Sequence, residues 1–168
     1  IKKIDYKILT NIGYHYTSSN DKWIIADLAP EYIYLDNIDS DIILPLQLKI
    51  LSDYSNWLKN KDNKSVIPIL DGNLYLKTNI TDKKFIHLNN NDLIDMKLIK
   101  KINSDINAIV IIDCLYNIQE KRNFFFNLLI HKLNVPVIIS FNSEFDFNNT
   151  LINSSISIGG LFVDGFGD

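Results

Sequence analysis

Three polar side chains follow apolar runs of this sequence that are typical of buried β-strands. Asp113 comes directly after Ala108 to Ile112, and Asn142 and Asp164 come shortly after two later runs. In α/β folds the ligands bind at the carboxyl ends of the strands, so the three residues are candidates for binding a small molecule. Polar residues also end strands because they hydrogen-bond the following turn, and both interpretations stay open. Further polar residues at such positions are His87, Asn89 and Ser140.

The other reactive residue types lack the spacing that catalysis or metal binding requires. Cys114 is the single cysteine, and an iron–sulfur cluster or structural zinc site needs several thiolates. His15, His87 and His131 show no metal-ligand spacing. No Gly-x-Ser-x-Gly elbow and no phosphate-binding loop are found. We therefore predict no catalytic residue, no metal site and no cofactor held by this chain.

Glycine is concentrated at the end of the sequence. Four of the six glycines, namely Gly159, Gly160, Gly165 and Gly167, surround the short apolar run Leu161 to Val163. Glycine is favoured where φ is positive or where two backbones approach closely. The pattern predicts a structural role for these glycines, in a short strand followed by a tight turn.

The apolar runs recur at a regular distance, with strands expected near residues 86, 109, 138 and 162. A helix starting at Asp92 is predicted in the first gap. In the second gap, Asn117 and Glu120 have the spacing of a capping box and predict a helix with Phe125, Leu128, Leu129 and Leu133 on one face. Because the strands are apolar on both faces, they are predicted to be parallel, which gives an α/β fold. An incomplete or degenerate TIM-barrel-like domain and an open doubly wound sheet both fit this spacing.

The first part of the chain is less regular. Strands are predicted at Trp23 to Ala26, Tyr32 to Leu35 and Val66 to Leu70. Between the last two, a stripe of apolar residues three and four apart predicts a long helix from Asp41 to Leu58.

Composition limits the functions that the chain can have. The net charge of −3 and the single arginine, Arg122, argue against binding to nucleic acid or to phosphate esters. No apolar run approaches the ~20 residues that a membrane span needs. We expect one α/β domain over residues 1–168, cut at both ends from a larger protein.

The closing segment resembles the signature of a known enzyme family. Residues 159–168, Gly-Gly-Leu-Phe-Val-Asp-Gly-Phe-Gly-Asp, are similar to the Gly-Gly-Leu-Leu-Val-Asp-Gly-Leu-Gly-Asp-Gly segment of plant-type 4-hydroxy-3-methylbut-2-enyl diphosphate synthases. In that family the segment closes an inserted middle domain. Residues 105–113 and 135–138 resemble two further segments of the domain in the same order. Where the family has paired histidines, this chain has Ile139 and Ser140, so a ligand role there is in doubt.

The resemblance implies a structural domain of an enzyme that reductively opens 2-C-methyl-D-erythritol 2,4-cyclodiphosphate in non-mevalonate isoprenoid biosynthesis. It implies that the domain packs between a substrate-binding domain and a C-terminal domain with a [4Fe-4S] cluster, in a chloroplast or apicoplast. A ferredoxin-type electron donor would serve the whole enzyme, whereas nucleic acid and membrane are not expected partners. The alternative is a stand-alone α/β enzyme or binding domain that uses Asp113, Asn142 and Asp164.

Overall fold

The structure is a computed structural model that describes residues 6–38, 44–112, 117–141 and 146–166. The chain divides into two compact units, residues 1–69 and 70–168. Parallel strands connected through helices occur in both units, so the chain has an α/β fold. No helix among the described residues is long and apolar enough to cross a membrane.

The first unit contains a hairpin and three parallel strands. Helix α1 precedes the antiparallel pair β1 and β2, and β3, β4 and β5 are joined in parallel in that order. The bounds are α1 Tyr6–Asn11, β1 Tyr14–Thr17, β2 Lys22–Ile25, β3 Tyr32–Tyr34, β4 Lys49–Asp53, α2 Tyr54–Lys59 and β5 Val66–Asp71. Leu9, Tyr14 and Leu48 form its buried cluster. The Tyr14 hydroxyl donates a 2.7 Å hydrogen bond to the carbonyl of Pro30, which satisfies its polar end.

The predicted long helix from Asp41 to Leu58 is wrong over most of its described length. Residues 39–43 lie outside the described part, Lys49–Asp53 forms β4, and only Tyr54–Lys59 is helical. The buried residues at this point are Leu48, Ile50 and Ser52, which alternate as they do in a strand. Because the third of these buried residues is a serine, a prediction that considers only apolar residues does not detect the alternation.

The second unit contains three parallel strands in chain order. β6 pairs with β7 and β7 pairs with β8. The bounds are α3 Gly72–Lys77, β6 Lys84–Leu88, a 3₁₀ turn Asp92–Ile94, α4 Met96–Asn103, β7 Ala108–Ile112, α5 Ile118–Ile130, β8 Val137–Ile139 and α6 Phe147–Val163. The predicted strands near 86, 109 and 138, and the two helices between them, are therefore confirmed.

Short polar caps set the helix starts in this unit. Asp71 accepts a hydrogen bond from the backbone N–H of Leu74 and thereby caps the start of α3. The capping box predicted at Asn117 and Glu120 is confirmed, with both reciprocal hydrogen bonds present at 2.9 and 3.0 Å. Such caps satisfy backbone donors that the first turn leaves without partners.

The predicted face of α5 is partly wrong. The residues that face the interior are Lys121, Phe124 and Leu128, whereas Leu129 is 62% exposed. Leu128 and Leu133 of the predicted face are buried, but an apolar pattern alone missed Lys121 and included the exposed Leu129.

The predicted strand Leu161 to Val163 is wrong, because these residues form the last turn of α6. Asp146 accepts a hydrogen bond from the backbone N–H of Asn149 and thereby caps this helix. Gly160 lies where α6 passes close to α5, since a Cβ there would stand 3.2 Å from the Ile118 side chain. Tertiary packing of the helix therefore overrides the low helix propensity of Gly159 and Gly160.

A buried polar network ties together the amino-terminal ends of β6 and β7. The Lys84 ammonium is 1% exposed and lies 2.6 Å from the Asp105 carboxylate, which also accepts a 2.9 Å hydrogen bond from Tyr75. Lys101 caps the end of α3 by donating to the carbonyls of Tyr75 and Thr78 at 2.6 and 2.5 Å. The pairing of Lys84 with Asp105 is important for stability, because a buried charge without its counterion is strongly unfavourable.

We predict that Asp105→Asn lowers the free energy of unfolding by about 3 kcal/mol, because it leaves the Lys84 charge buried without its counterion. Chemical denaturation of the chain measures the change. The exposed Asp82→Asn is the matched control and should change stability by less than about 0.5 kcal/mol. The double variant Lys84→Met with Asp105→Asn should recover part of the loss, and equal losses in the single and double variants would contradict a coupled pair.

The same network makes stability depend on pH. Burial by itself raises the pKa of Asp105, but hydrogen bonds from Lys84, Tyr75 and the Asn107 N–H outweigh it, so the pKa is lowered from its ordinary value of 3.8. A carboxyl whose pKa is lower in the folded state stabilises the fold above its unfolded pKa, and loses that effect as pH falls through the folded pKa. We expect stability to decline below about pH 4, with a shallower decline in Asp105→Asn. Denaturation across this range, with identical slopes for both proteins, would exclude Asp105 as the source.

Candidate functional site

Of the three residues that the sequence nominated for one site, the structure describes only Asp164. Asp113 and Asn142 lie outside the described residues. Asp164 ends helix α6 instead of following a strand, so its predicted place at a strand end is wrong. A binding role for the three residues stays a prediction.

Asn89 and Ser140, at the ends of described strands, hydrogen-bond backbone groups. The Asn89 side chain accepts from the backbone N–H of Asn91 at 2.8 Å, which closes the turn after β6. The Ser140 hydroxyl lies 3.3 Å from the carbonyl of Ile112, on the neighbouring strand. Both arrangements are those of residues that end strands. They provide no converging set of free polar groups for a ligand.

The closing segment forms a helix cap whose glycine has a definite conformational reason. The N–H of Gly165 bonds to the carbonyl of Phe162 at 3.0 Å, and the N–H of Phe166 bonds to that of Leu161 at 2.9 Å. These two bonds are the Schellman arrangement, in which the residue after the C-cap adopts a left-handed conformation. Gly165 has φ of +83°, as this arrangement requires. Its role in a turn is thus confirmed, whereas Gly159 and Gly160 are helical and Gly167 lies outside the described residues.

Side chains of this cap fasten the end of α6 to α5. Asp164 accepts two hydrogen bonds from the guanidinium of Arg122, at 2.5 Å from Nε and 3.1 Å from Nη2. The Phe166 ring stacks on Phe125 with centroids 5.0 Å apart and meets the edge of Phe126 at 5.5 Å. Arginine and carboxylate match each other in planar geometry, so the single arginine of the chain serves here to join two helices.

Sequence reasoning missed a polar cluster inside the second unit. The Lys121 side chain is fully buried and its ammonium donates to the Ser157 hydroxyl on α6. Nearby in sequence, the carbonyl of Glu120 accepts a 3.1 Å hydrogen bond from the Asn90 side chain. The signal for this cluster in the sequence would have been a lysine at the start of an apolar helical stripe. The helical period places Lys121 in line with Phe124 and Leu128.

Helices α5 and α6 also carry apolar residues on the sides that face away from the interior. On α5, exposed Phe126, Leu129 and Ile130 lie opposite the buried stripe. On α6, Ile152, Ile156 and Val163 are four and seven residues apart, so they share one side of the helix, and they are 56%, 68% and 89% exposed. We call these two sets the outer apolar faces. Helices that are apolar all round are normally buried.

A groove of about 800 Å³ lies beside β8. Val137 and Ile139 of β8 form one side, and Phe125, Ile158 and Phe162 form the helical side. Among the residues that the structure describes, no charged side chain lines it, and Asn134 adds a polar one, so the groove suits an uncharged occupant. Among the residues that the structure describes, no group of three or more His, Cys, Asp or Glu residues could hold a metal ion.

Compared with known proteins, the chain matches no family model, no curated protein and no solved structure. The arguments for its function therefore rest on its own residues and on the geometry given above.

Alanine substitutions at Gly159 and at Gly165 are predicted to have opposite effects on stability. Gly159→Ala should raise the free energy of unfolding by up to about 1 kcal/mol, because alanine favours the helix and its Cβ meets nothing within 4 Å. Gly165→Ala should lower it by about 1–2 kcal/mol, because φ of +83° strains any residue with a Cβ. Thermal and urea denaturation of the two variants test this pair. A loss of stability in both variants would instead support a tight turn at Gly159.

Proposed function

We propose that this chain is a structural domain that holds neighbouring domains of one polypeptide together. The observation that carries the proposal is the pair of outer apolar faces on α5 and α6. Apolar residues exposed along the outer side of a helix indicate that a second surface covers that side.

The magnitudes favour a partner in the same polypeptide. Covering a Leu, Ile, Val or Phe side chain contributes about 1.5–3 kcal/mol, so Ile152, Ile156 and Val163 together would contribute several kcal/mol. Free association of two proteins costs about 4–15 kcal/mol, which is comparable to that gain. A covalent connection makes the contact intramolecular and removes much of the cost. Small apolar faces of this kind are therefore well suited to packing between domains.

The resemblance of the closing segment suggests which polypeptide this is. We propose the inserted middle domain of a plant-type 4-hydroxy-3-methylbut-2-enyl diphosphate synthase, with an incomplete TIM-barrel-like fold. The parallel strands that follow one another in chain order within each unit support that fold. The proposed neighbours are the substrate-binding domain and the cluster-binding domain, in a plastid-type organelle, with a ferredoxin-type donor serving the whole enzyme.

The residues of this chain do not fit the iron–sulfur cluster of that family. The chain has one cysteine, whereas a [4Fe-4S] cluster is held by several thiolates. Under the proposal the cluster and the reductive chemistry belong to another domain. The alternative, a stand-alone enzyme or binding domain, would need Asp113, Asn142 and Asp164 together. The carboxylate of Asp164 is already paired with Arg122, which favours the structural role.

Paired substitutions on α6 test the proposal in the complete polypeptide that contains this chain. Ile152→Gln with Ile156→Gln makes one outer apolar face polar, and Asn153→Gln with Ser155→Gln is the matched control at exposed polar positions of the same helix. The apolar-to-polar pair should leave the stability of the 168-residue chain alone within about 0.5 kcal/mol. In the complete enzyme it should reduce turnover by about a hundredfold through misplacement of the active domains.

The control pair should leave both properties unchanged. Full turnover in the enzyme that carries Ile152→Gln and Ile156→Gln would contradict the structural role. So would full turnover in an enzyme from which residues 1–168 have been deleted.

A further inference from the structure

Strand β8 has one edge that points away from β7. The carbonyl of Pro136 accepts a hydrogen bond from the Val110 N–H, and the Ser140 N–H donates to the carbonyl of Ile112. In a parallel pair the groups that face a given neighbour alternate along the strand. Hence the N–H and C=O groups of Val137 and Ile139 point to the opposite edge. Among the described residues, β8 pairs with β7 only.

This edge is short, with three residues, but it carries no charged side chain that would prevent pairing with another strand. Edge strands are normally protected by charged side chains, by proline or by a bulge. Val137, Ile138 and Ile139 are all uncharged and β-branched. Pro136 offers little protection, because its nitrogen lies on the same side as its carbonyl, which faces β7. The edge therefore has the chemistry of a strand inside a sheet.

The groove beside β8 would receive the side chains of an added strand. The same residues that direct N–H and C=O groups outward, Val137 and Ile139, form one wall of the groove. Phe125, Ile158 and Phe162 add apolar side chains to the lining, which also includes the polar Asn134. Backbone pairing with side chains entering pockets at alternate positions is the usual mode of strand addition.

We propose that an extended, uncharged apolar segment of the same polypeptide pairs in parallel with β8 and places alternate side chains in this groove. The proposal rests on the interdomain role given above and names the contact by which that role is exerted. Sheet continuity sets the direction, because β6, β7 and β8 are parallel and each is added beyond the previous one.

The position of α6 gives the reason for a partner in the same polypeptide. α6 follows β8 and is fastened to α5 by the Arg122–Asp164 pair. Crossovers between parallel strands are right-handed almost without exception. A segment that follows α6 in the polypeptide and pairs in parallel with β8 would reach the free edge of β8 by such a crossover.

Amide hydrogen exchange at Val137 and Ile139 tests the proposal. In the 168-residue chain alone both amides should exchange rapidly, because they point away from β7. In the complete polypeptide they should exchange about a hundredfold more slowly, since pairing protects amides. Unchanged exchange there would overturn strand addition. If the outer apolar faces became protected while these two amides did not, the structural role would stand and only the strand addition would be wrong.

A proline substitution separates the backbone pairing from side-chain packing. Ile139→Pro removes an N–H that points away from β7, whereas Ile139→Ala removes the same side chain but keeps that N–H. In the complete polypeptide, proteolysis at β8 should be about tenfold faster for the proline variant than for the alanine variant. Equal rates would overturn the proposal. A dimer of the 168-residue chain that only the proline variant disrupts would also overturn it, because the occupant would then be a second copy.

Discussion

Parallel strands with apolar side chains on both faces are stable only when both faces are covered, and this requirement shapes the second unit. The side chains of Phe85, Ile86, Val110 and Ile112 are fully buried, or almost so. The polar groups near them are paired in turn, as in the contact of Lys84 with Asp105. Helices supply the cover, and two of them, α5 and α6, also carry exposed apolar residues on their outer sides. The helices thus cover the apolar sheet, and the outer apolar faces of α5 and α6 in turn need a surface that covers them.

The sequence was informative where local chemistry decides the structure. The strands Lys84–Leu88 and Ala108–Ile112 were predictable because β-branched and aromatic residues favour pleated, buried segments. The start of α5 was predictable because a capping box satisfies backbone donors through two side chains that are close in sequence. In both cases the deciding interactions lie within a few residues of one another.

Predictions failed where a polar residue occupies a buried position or where tertiary packing overrides propensity. Ser52 hid the alternation of β4, and Lys121 hid the inner stripe of α5. The last helix contains two adjacent glycines, which disfavour helix formation by about 1 kcal/mol each relative to alanine. Close packing against Ile118 and the pairing of Asp164 with Arg122 hold it in place. Neither contact is visible in the sequence, because the partners are about forty residues apart.

The closing segment acquires a physical meaning that its sequence alone did not provide. Gly165 permits the left-handed turn of a helix cap, Asp164 pairs with the arginine of the adjacent helix, and Phe166 packs on Phe125. Asp164 and Phe166 thus fasten α6 to α5. A motif that seemed suited to a binding site is thus accounted for by the requirements of packing two helices.

The most direct measurement is the solvent accessibility of the outer apolar face of α5 in solution. Side-chain labelling by photogenerated carbenes, followed by mass spectrometry, reports on Phe126, Leu129 and Ile130. The structural role predicts strong labelling of these residues in the 168-residue chain alone and little labelling in the complete polypeptide. Equal labelling in the two proteins would contradict the account, because no neighbouring domain would then cover the face.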